Sequence, residues 1–375
     1  MVVRHSILNF DIPVPASAES SIRQLIAGSP EGWLSFAEVM HLALFHPGHG
    51  YYSGSPRRIG RAGDFFTAVS VGPLYGRLLA AVAEETWESL GRPGEFTLIE
   101  QGAHDGQLAA DVWAGLQEGP LGGLARYLIV EPKAGYRRAQ KDRLLPLMDG
   151  RVDWADDPAL LPALPGGAFF LCNELLDAFP VHRLRWTGTA WEEVGVVIAA
   201  GELAFEARPI TAGPLADEAA RLPKDLPSGY TTEVHPAATE WMRRLAAVPF
   251  RGAVLIADYG YEEAEYRMPE RADGTLRRYR EHQVDGEVLK DLGESDLTAH
   301  INFTPVITEA AGGGFQVKRF MEQGRFLTHA AKPWLASLEG RPPSAGTMAL
   351  LRQFQTLTHP GHMGAAFRML LLERD

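Results

Sequence analysis

The stretch Phe96 to Leu108, FTLIEQGAHDGQL, constrains the fold of this chain more than any other. Phe96, Thr97, Leu98 and Ile99 form an unbroken run that ends in an acid, Glu100. Aromatic and β-branched side chains in such a run suit a strand covered on both faces. Gly102 and Gly106 follow, then Leu108, Val112 and Leu116 at four-residue spacing. That spacing lays one apolar stripe along a helix whose first turn begins near Gly106. Strand, glycine-bearing turn and helix in this order are the repeating unit of a parallel α/β sheet. The turn lies outside the carboxyl end of the strand, where nucleoside cofactors bind. A turn with two glycines also serves as a plain connection, and this one lacks the middle glycine of G-x-G-x-x-G, so specificity has to come from elsewhere.

Four further apolar runs carry polar residues at their C-terminal tips. Tyr127–Val130 ends in Glu131 and Pro132, Val152–Trp154 in Ala155, Asp156 and Asp157, Ala168–Cys172 in NELLDAFP, and Ala253–Ala257 in Asp258, Tyr259 and Gly260. An acid at the tip of the next parallel strand, roughly 20–30 residues past the glycine turn, can accept both hydroxyls of an adenosine ribose, and Glu131 stands there. Trp154 and Ala155 are placed to meet an adenine edge and face. The pattern is that of a doubly wound α/β sheet.

At 375 residues the chain has room for two domains, or one with insertions, at ~150 residues each. Residues 1–95 read as an N-terminal helical segment: helices over 19–28 and 35–45, the second opened by a Ser35/Glu38 capping box, and a third over 70–90 with Leu74, Leu78 and Val82 as its stripe. Between them, His46 to Thr67 is a long loop dense in glycine, aromatic residues and three arginines, placed to cover a site. Residues 96–375 read as the core. It carries an inserted lobe at about 181–250, which alternates polar and apolar residues around Thr187-Gly188 and Ala200-Gly201, and a helical insertion at about 323–362. Pro305 behind a Thr304 cap opens a helix ending at Gly312 to Gly314; Phe315–Phe320 and Phe367–Leu372 read as late strands.

The composition, 46% apolar and 22% charged, is that of a soluble globular protein. The net charge of 36 − 47 = −11 argues against a nucleic-acid partner. A lone cysteine, Cys172, forms no internal disulfide, no apolar stretch approaches the ~18 residues of a membrane span, and the N-terminus has no signal-peptide core. The expectation is a cytoplasmic protein with no membrane insertion. No Cys/His set has metal-ligand spacing, and His46 with His49 reads as part of a turn.

Taken in order, HPGHGYY (46–52), GDFFT (63–67), the E-x-G turn (100–102), NELLDAFPV (173–181), DYGY (258–261), GTLRRYREH (274–282) and GESDLTAHINF (293–303) resemble the MidA-type family of S-adenosylmethionine-dependent methyltransferases, which includes a mitochondrial arginine methyltransferase needed for respiratory complex I assembly. The resemblance implies a class I methyltransferase core, Rossmann-like, with a mostly parallel seven-stranded sheet. It implies a cofactor held by Gly63, Asp64, Thr67, Glu100, Gly102, His104, Gly106, Glu131, Pro132, Trp154, Ala155 and Asn173. It makes the region of Glu174 and Asp177 the active-site loop and implies an arginine acceptor, with symmetric dimethylarginine as product and a respiratory NADH dehydrogenase subunit or bacterial counterpart as partner. Two positions depart from the family pattern. His104 stands where the middle glycine of E-x-G-x-G-x-G is usual, and its Cβ narrows the approach to the methionine portion of the cofactor. Ala68, Val69 and Ser70 stand where Ser-Pro-Glu usually follows GDFFT.

Methyl transfer from a sulfonium is an in-line displacement, so the protein chiefly aligns donor and acceptor. An arginine guanidinium stays protonated near pH 7, and acids gripping its N–H groups can orient one nitrogen. Glu174 and Asp177, three residues apart, can converge on such a group; Asn173 and Asp177 can equally cap the following turn. Tyr259, Asp296, Thr298 and His300 fall on the acceptor side, and His282 or His300 can take the released proton. Rival readings are a methyltransferase for small oxygen or nitrogen nucleophiles, which calls for an enclosed apolar pocket, and a non-catalytic assembly module, motivated by His104 and the missing Pro-Glu. A nicotinamide dehydrogenase is weaker, because the turn departs from the dinucleotide fingerprint.

Overall fold

Seven strands form one sheet: β1 (Phe96–Gln101), β2 (Ala125–Val130), β3 (Val152–Ala155), β4 (Ala168–Asn173), β5 (Gly252–Asp258), β6 (Gln316–Glu322) and β7 (Arg368–Arg374), in the order β6-β7-β5-β4-β1-β2-β3. The computed structural model describes residues 16–54, 56, 67–161, 164–281, 283–340, 342 and 344–375. Neighbours from β3 to β5 pair parallel, while β7 runs antiparallel to both β5 and β6. Burial explains the unbroken apolar runs: in β4, Phe169 and Leu171 face one apolar cluster, Phe170 and Cys172 the other.

Helices cover both faces. On one lie α3 (Leu74–Ser89) and α4 (Gln107–Leu116), whose Leu74, Leu78, Val112 and Trp113 join Leu98, Phe169 and Leu255 in a single cluster. The two helices approach closely because a Cβ on Gly76 would lie 2.5 Å from Asp111 Cβ. On the other face α6 (Pro236–Ala246) and α7 (Phe303–Gly312) bury Trp241, Leu245, Phe303 and Val306 against Phe170 and Ile256. Between α4 and α6 in sequence, α5 (Ala134–Met148) follows β2. The N-terminal α1 (Ala18–Gly28) and α2 (Phe36–Phe45) pack apart from the sheet, and α2 is opened by the Ser35/Glu38 capping box. Such a cap contributes about 1 kcal/mol.

Several expectations are corrected. The helix read over 70–90 is interrupted at Gly72-Pro73, leaving a single turn, Ala68–Val71, ahead of α3. Since α3 shares the sheet's core, the core begins before residue 96. The lobe's antiparallel sheet uses His182–Trp186, Trp191–Ala199, Glu202–Pro209 and Thr231–Val234, and recruits Trp33–Ser35 from the N-terminal segment. Its Ala200-Gly201 hairpin has both φ values positive, +51° and +86°. The helix at 236–246, inside the expected lobe, instead covers the central sheet. Asn302, not Thr304, caps α7 by accepting from the Thr304 amide at 3.1 Å. Arg374 pins the end of β7 by donating to the carbonyls of Ala246 (2.7 Å), Gly313 (3.0 Å), Phe250 (3.1 Å) and Val248.

Candidate active site

The tips of β1, β2, β4 and β5 open into one cavity of about 790 Å³. At the first tip Glu100 is buried and accepts the Tyr127 hydroxyl. Burial pushes its carboxyl up to about 7, against the Tyr127 hydrogen bond, with Asp105 and Asp111 adding to the rise. The turn beyond takes three left-handed residues, Gly102 (φ +82°), His104 (φ +47°) and Gly106 (φ +84°). A Cβ at Gly102 would lie 3.2 Å from the Leu175 side chain, so glycine keeps this wall open. His104 adopts the glycine-like conformation at some cost in strain. Its ring stands edge-on to Tyr136, with centroids 5.7 Å apart, and faces Asp105. Although burial opposes ionisation, the His104 imidazole, whose Nδ1 lies 3.7 Å away, and the Arg143 guanidinium, which donates at 2.6 Å, hold Asp105 down at about 2.

At the second tip Glu131 is nearly buried and accepts the Lys133 amide at 2.9 Å; burial raises its carboxyl above the ordinary range. Gln140 of α5 ties this end together. It donates to the His104 carbonyl at 2.9 Å and accepts from the Trp154 indole at 3.0 Å.

The tip of β4 supplies the acidic end. Asn173 accepts the Tyr75 hydroxyl at 2.7 Å and donates to Glu174 at 2.9 Å. Glu174 itself has φ +51°. Its carboxyl is pushed up to about 8 by burial and then by Asp177, against the Asn173 bond. Burial raises Asp177 to about 7, against backbone N–H donors. Beneath both, Asp258 is fully buried and accepts the amides of Leu175 (3.2 Å), Leu176 (2.8 Å), Asp177 (3.3 Å) and Tyr259 (2.8 Å). Burial, followed by the Asp177 charge, also drives Asp258 upward. The three carboxyls together therefore carry less than three negative charges near neutral pH. A three-stranded sheet, Arg277–Arg280, Gln283–Asp285 and Asp296–Thr298, brings Tyr279, Asp296 and Thr298 to the same wall, and Tyr52 donates to Asp296 at 2.9 Å.

Of the residues singled out in the sequence, Thr67, Glu100, Gly102, His104, Glu131, Pro132, Asn173, Glu174, Asp177, Tyr259, Asp296 and Thr298 line this one cavity. Gly106, Trp154, Ala155 and His300 do not. Gly106 opens α4, Trp154 acts through Gln140, and the Ala155 carbonyl accepts the Glu131 amide at 2.9 Å. His300 stacks behind Tyr259, and burial pushes its ring down to about 4, so it is a neutral wall support at pH 7. Gly63, Asp64 and His282 lie outside the described residues. Sequence reasoning passed over Tyr75, Gln140, Lys133 and Tyr279. Tyr52 and Tyr279 fall inside the quoted motifs HPGHGYY and GTLRRYREH, which was the available signal; Tyr75 and Gln140 carried none.

The residues fit a nucleoside cofactor. One end offers a carboxylate two residues short of a helix, the middle a wall without a Cβ, the far end clustered acids. A sheet of this order with such a cavity defines a class I, Rossmann-like methyltransferase. Over residues 78–321, more than half its length, the chain matches the model of a family of S-adenosyl-L-methionine-dependent methyltransferases, and it belongs to that family.

A Burkholderia thailandensis protein whose crystal structure holds S-adenosyl-homocysteine superposes with a TM-score of 0.85 at 31% identity, covering 98% of this chain and 95% of that one. The protein arginine methyltransferase NDUFAF7, mitochondrial, of Xenopus tropicalis is 30% identical over 75% of this chain and 69% of its own length. The human counterpart is 26% identical over 91% and 80%. The protein is thus a methyltransferase that uses S-adenosylmethionine. The cytoplasmic expectation is overturned, because these curated relatives are named as mitochondrial proteins. Among the described residues, no helix is long and apolar enough to cross a membrane.

Proposed function

We propose that the protein methylates an arginine of a partner protein, with Glu174 and Asp177 gripping the guanidinium. The observation that carries this reading is the acidic end of the cavity, lined by the half-buried Glu174 and the buried Asp177 beyond the tip of β4. S-adenosylmethionine supplies an electrophilic methyl group when bound. Glu131 holds the ribose hydroxyls, and Gly102 lets the methionine portion lie against the backbone. A guanidinium entering between Tyr259, Tyr279 and the acids meets charge on one side and ring faces on the others, an arrangement suited to a planar cation. Its charge draws the protons off Glu174 and Asp177, leaving carboxylates that orient one nitrogen toward the methyl carbon. Once the C–N bond has formed, Glu174 is in place to receive the proton that the new methylguanidinium releases.

Names of relatives such as NDUFAF7 support arginine as acceptor, and the family resemblance extends this to a respiratory NADH dehydrogenase subunit or its bacterial counterpart. A small-molecule methyltransferase would present an enclosed apolar pocket instead of these acids. The test is to incubate the protein with labelled cofactor and a lysate of its own source and to sequence the labelled peptide. Glu174→Gln is expected to abolish labelling while cofactor affinity, by calorimetry, changes less than about threefold. Full labelling by the variant refutes the acceptor assignment; label on a residue other than arginine refutes the substrate class.

A further inference from the structure

Lys133 is the one lysine or arginine among the described residues that line the cavity. Ring faces hold its ammonium: Nζ lies 4.8 Å from the centroid of Phe45, 5.2 Å from Tyr52 and 5.5 Å from Tyr136, all three of which also line the cavity. Three rings around one ammonium form an aromatic cage, the kind of site that favours a methylated over a bare ammonium, because methyl groups replace hydration that the rings cannot supply.

The side chain also spans the region that matters. Its own amide bonds Glu131 at the ribose end. Its tip rests on Tyr52, whose hydroxyl reaches Asp296 on the acceptor wall. The side chain therefore lines the same cavity as Glu131 and Asp296, and its ammonium faces the space that the cofactor occupies on the reading above. Burial brings the ammonium down to about 8, against the nearby Glu131 charge, so that near pH 8 about half the molecules carry a lone pair on Nζ. An ordinary solvated lysine offers well under one per cent.

We propose that Lys133 is itself a methyl acceptor, modified by its own protein molecule when S-adenosylmethionine occupies the cavity. The inference rests on the cofactor placement given under Proposed function. In the step, the neutral Nζ attacks the sulfonium methyl carbon. A C–N bond forms while the methyl C–S bond breaks, with its electron pair passing to sulfur. The products are neutral S-adenosylhomocysteine and a methylated ammonium; the proton lost beforehand from Nζ goes to water. The charge at position 133 is preserved, as is usual for lysine methylation, and the cage then holds the modified group more firmly than the original.

The experiment uses the full chain, without any acceptor, incubated with S-adenosylmethionine carrying a deuterated methyl group, digested with trypsin and read by mass spectrometry. Label is expected on the peptide Tyr127–Lys133. Dimethylation is expected to shift label to the longer peptide ending at Arg137, because trypsin no longer cuts at position 133. Incorporation per molecule is expected to be independent of protein concentration over a tenfold range, and Lys133→Gln to lose it. Unlabelled Lys133 in protein that calorimetry shows to bind the cofactor overturns the proposal and leaves the arginine reading standing. Equal label on surface lysines also overturns it. Failure to bind cofactor overturns both readings.

Discussion

Replacing Asp258 tests whether the acceptor loop is held from below. Its carboxyl accepts four backbone amides, two at 2.8 Å and two at 3.2 and 3.3 Å, and is fully buried at the tip of β5. Asp258→Ala strands all four donors, those of Leu176 and Asp177 in buried surroundings. A buried donor left without its partner costs ~1–3 kcal/mol, and the two longer bonds count for less, so after relaxation the loss is expected at ~3–5 kcal/mol. Asp258→Asn keeps an oxygen for the three loop amides but turns an NH₂ toward the Tyr259 amide, so the loss is expected at ~1–2 kcal/mol. Urea unfolding of the full chain, with and without S-adenosylhomocysteine, measures both. Because Glu174, at φ +51°, opens the loop that this carboxyl braces, Asp258→Ala is also expected to cut methyl transfer more than about tenfold, with cofactor affinity nearly unchanged. Two results refute the reasoning: an alanine variant within ~0.5 kcal/mol of wild type, or an asparagine variant as damaged as the alanine one.

Other carboxyls of the cavity set the pH dependence of stability and the affinity for cofactor. Glu100, Glu174 and Asp177 have folded-state values of about 7, 8 and 7, above their ordinary 4.5, 4.5 and 3.8. Their contribution to stability is complete below the ordinary values and is lost as pH rises toward 7 and 8, because the unfolded chain ionises first. His235 and His300, depressed to about 3 and 4 chiefly by burial, act in the opposite sense and only below about 6.5. Urea midpoints of the ligand-free protein are therefore expected to fall between pH 6.5 and 8, and to fall less in Glu174→Gln; a flat or rising midpoint contradicts the assigned burial. Glu131→Ala is expected to weaken S-adenosylhomocysteine binding by ~10–100-fold in calorimetry, the equivalent of one or two charged hydrogen bonds. A change under twofold removes Glu131 from the ribose.

Much of the sheet was legible because β1, β2, β4 and β5 announced themselves twice, by unbroken apolar runs and by the polar residues at their tips. Phe96–Ile99 and Ala168–Cys172 are buried on both faces, which is what such runs require. Insertions were harder to read. The lobe borrows Trp33–Ser35 from more than a hundred residues upstream, and no local pattern announces a partner strand so remote. Helix α6 read as part of the lobe because it adjoins the lobe in sequence, whereas its apolar stripe, with Trp241 and Leu245, faces the central sheet. Trp154 and Ala155, expected at the adenine because they end a strand, fall outside the cavity lining. Position along a strand cannot distinguish a residue that touches a ligand from one that braces a neighbour, as Trp154 braces Gln140. Lys133 was missed for a related reason: its cage draws on α2, α5 and the segment containing Tyr52, which only the folded chain assembles.

The place of β7 bears on how the molecule is made. This strand comes latest in sequence of the seven, yet it lies between β5 and β6. From Asp258, where β5 ends, to Arg368, where β7 starts, synthesis must add 368 − 258 = 110 residues, which takes about 5–20 s at common elongation rates. Throughout that delay the nascent β5 presents a bare, strongly apolar border to its surroundings, open to mispairing with another emerging copy. A holdase that shields such borders should raise the yield of active protein more than one that acts after release.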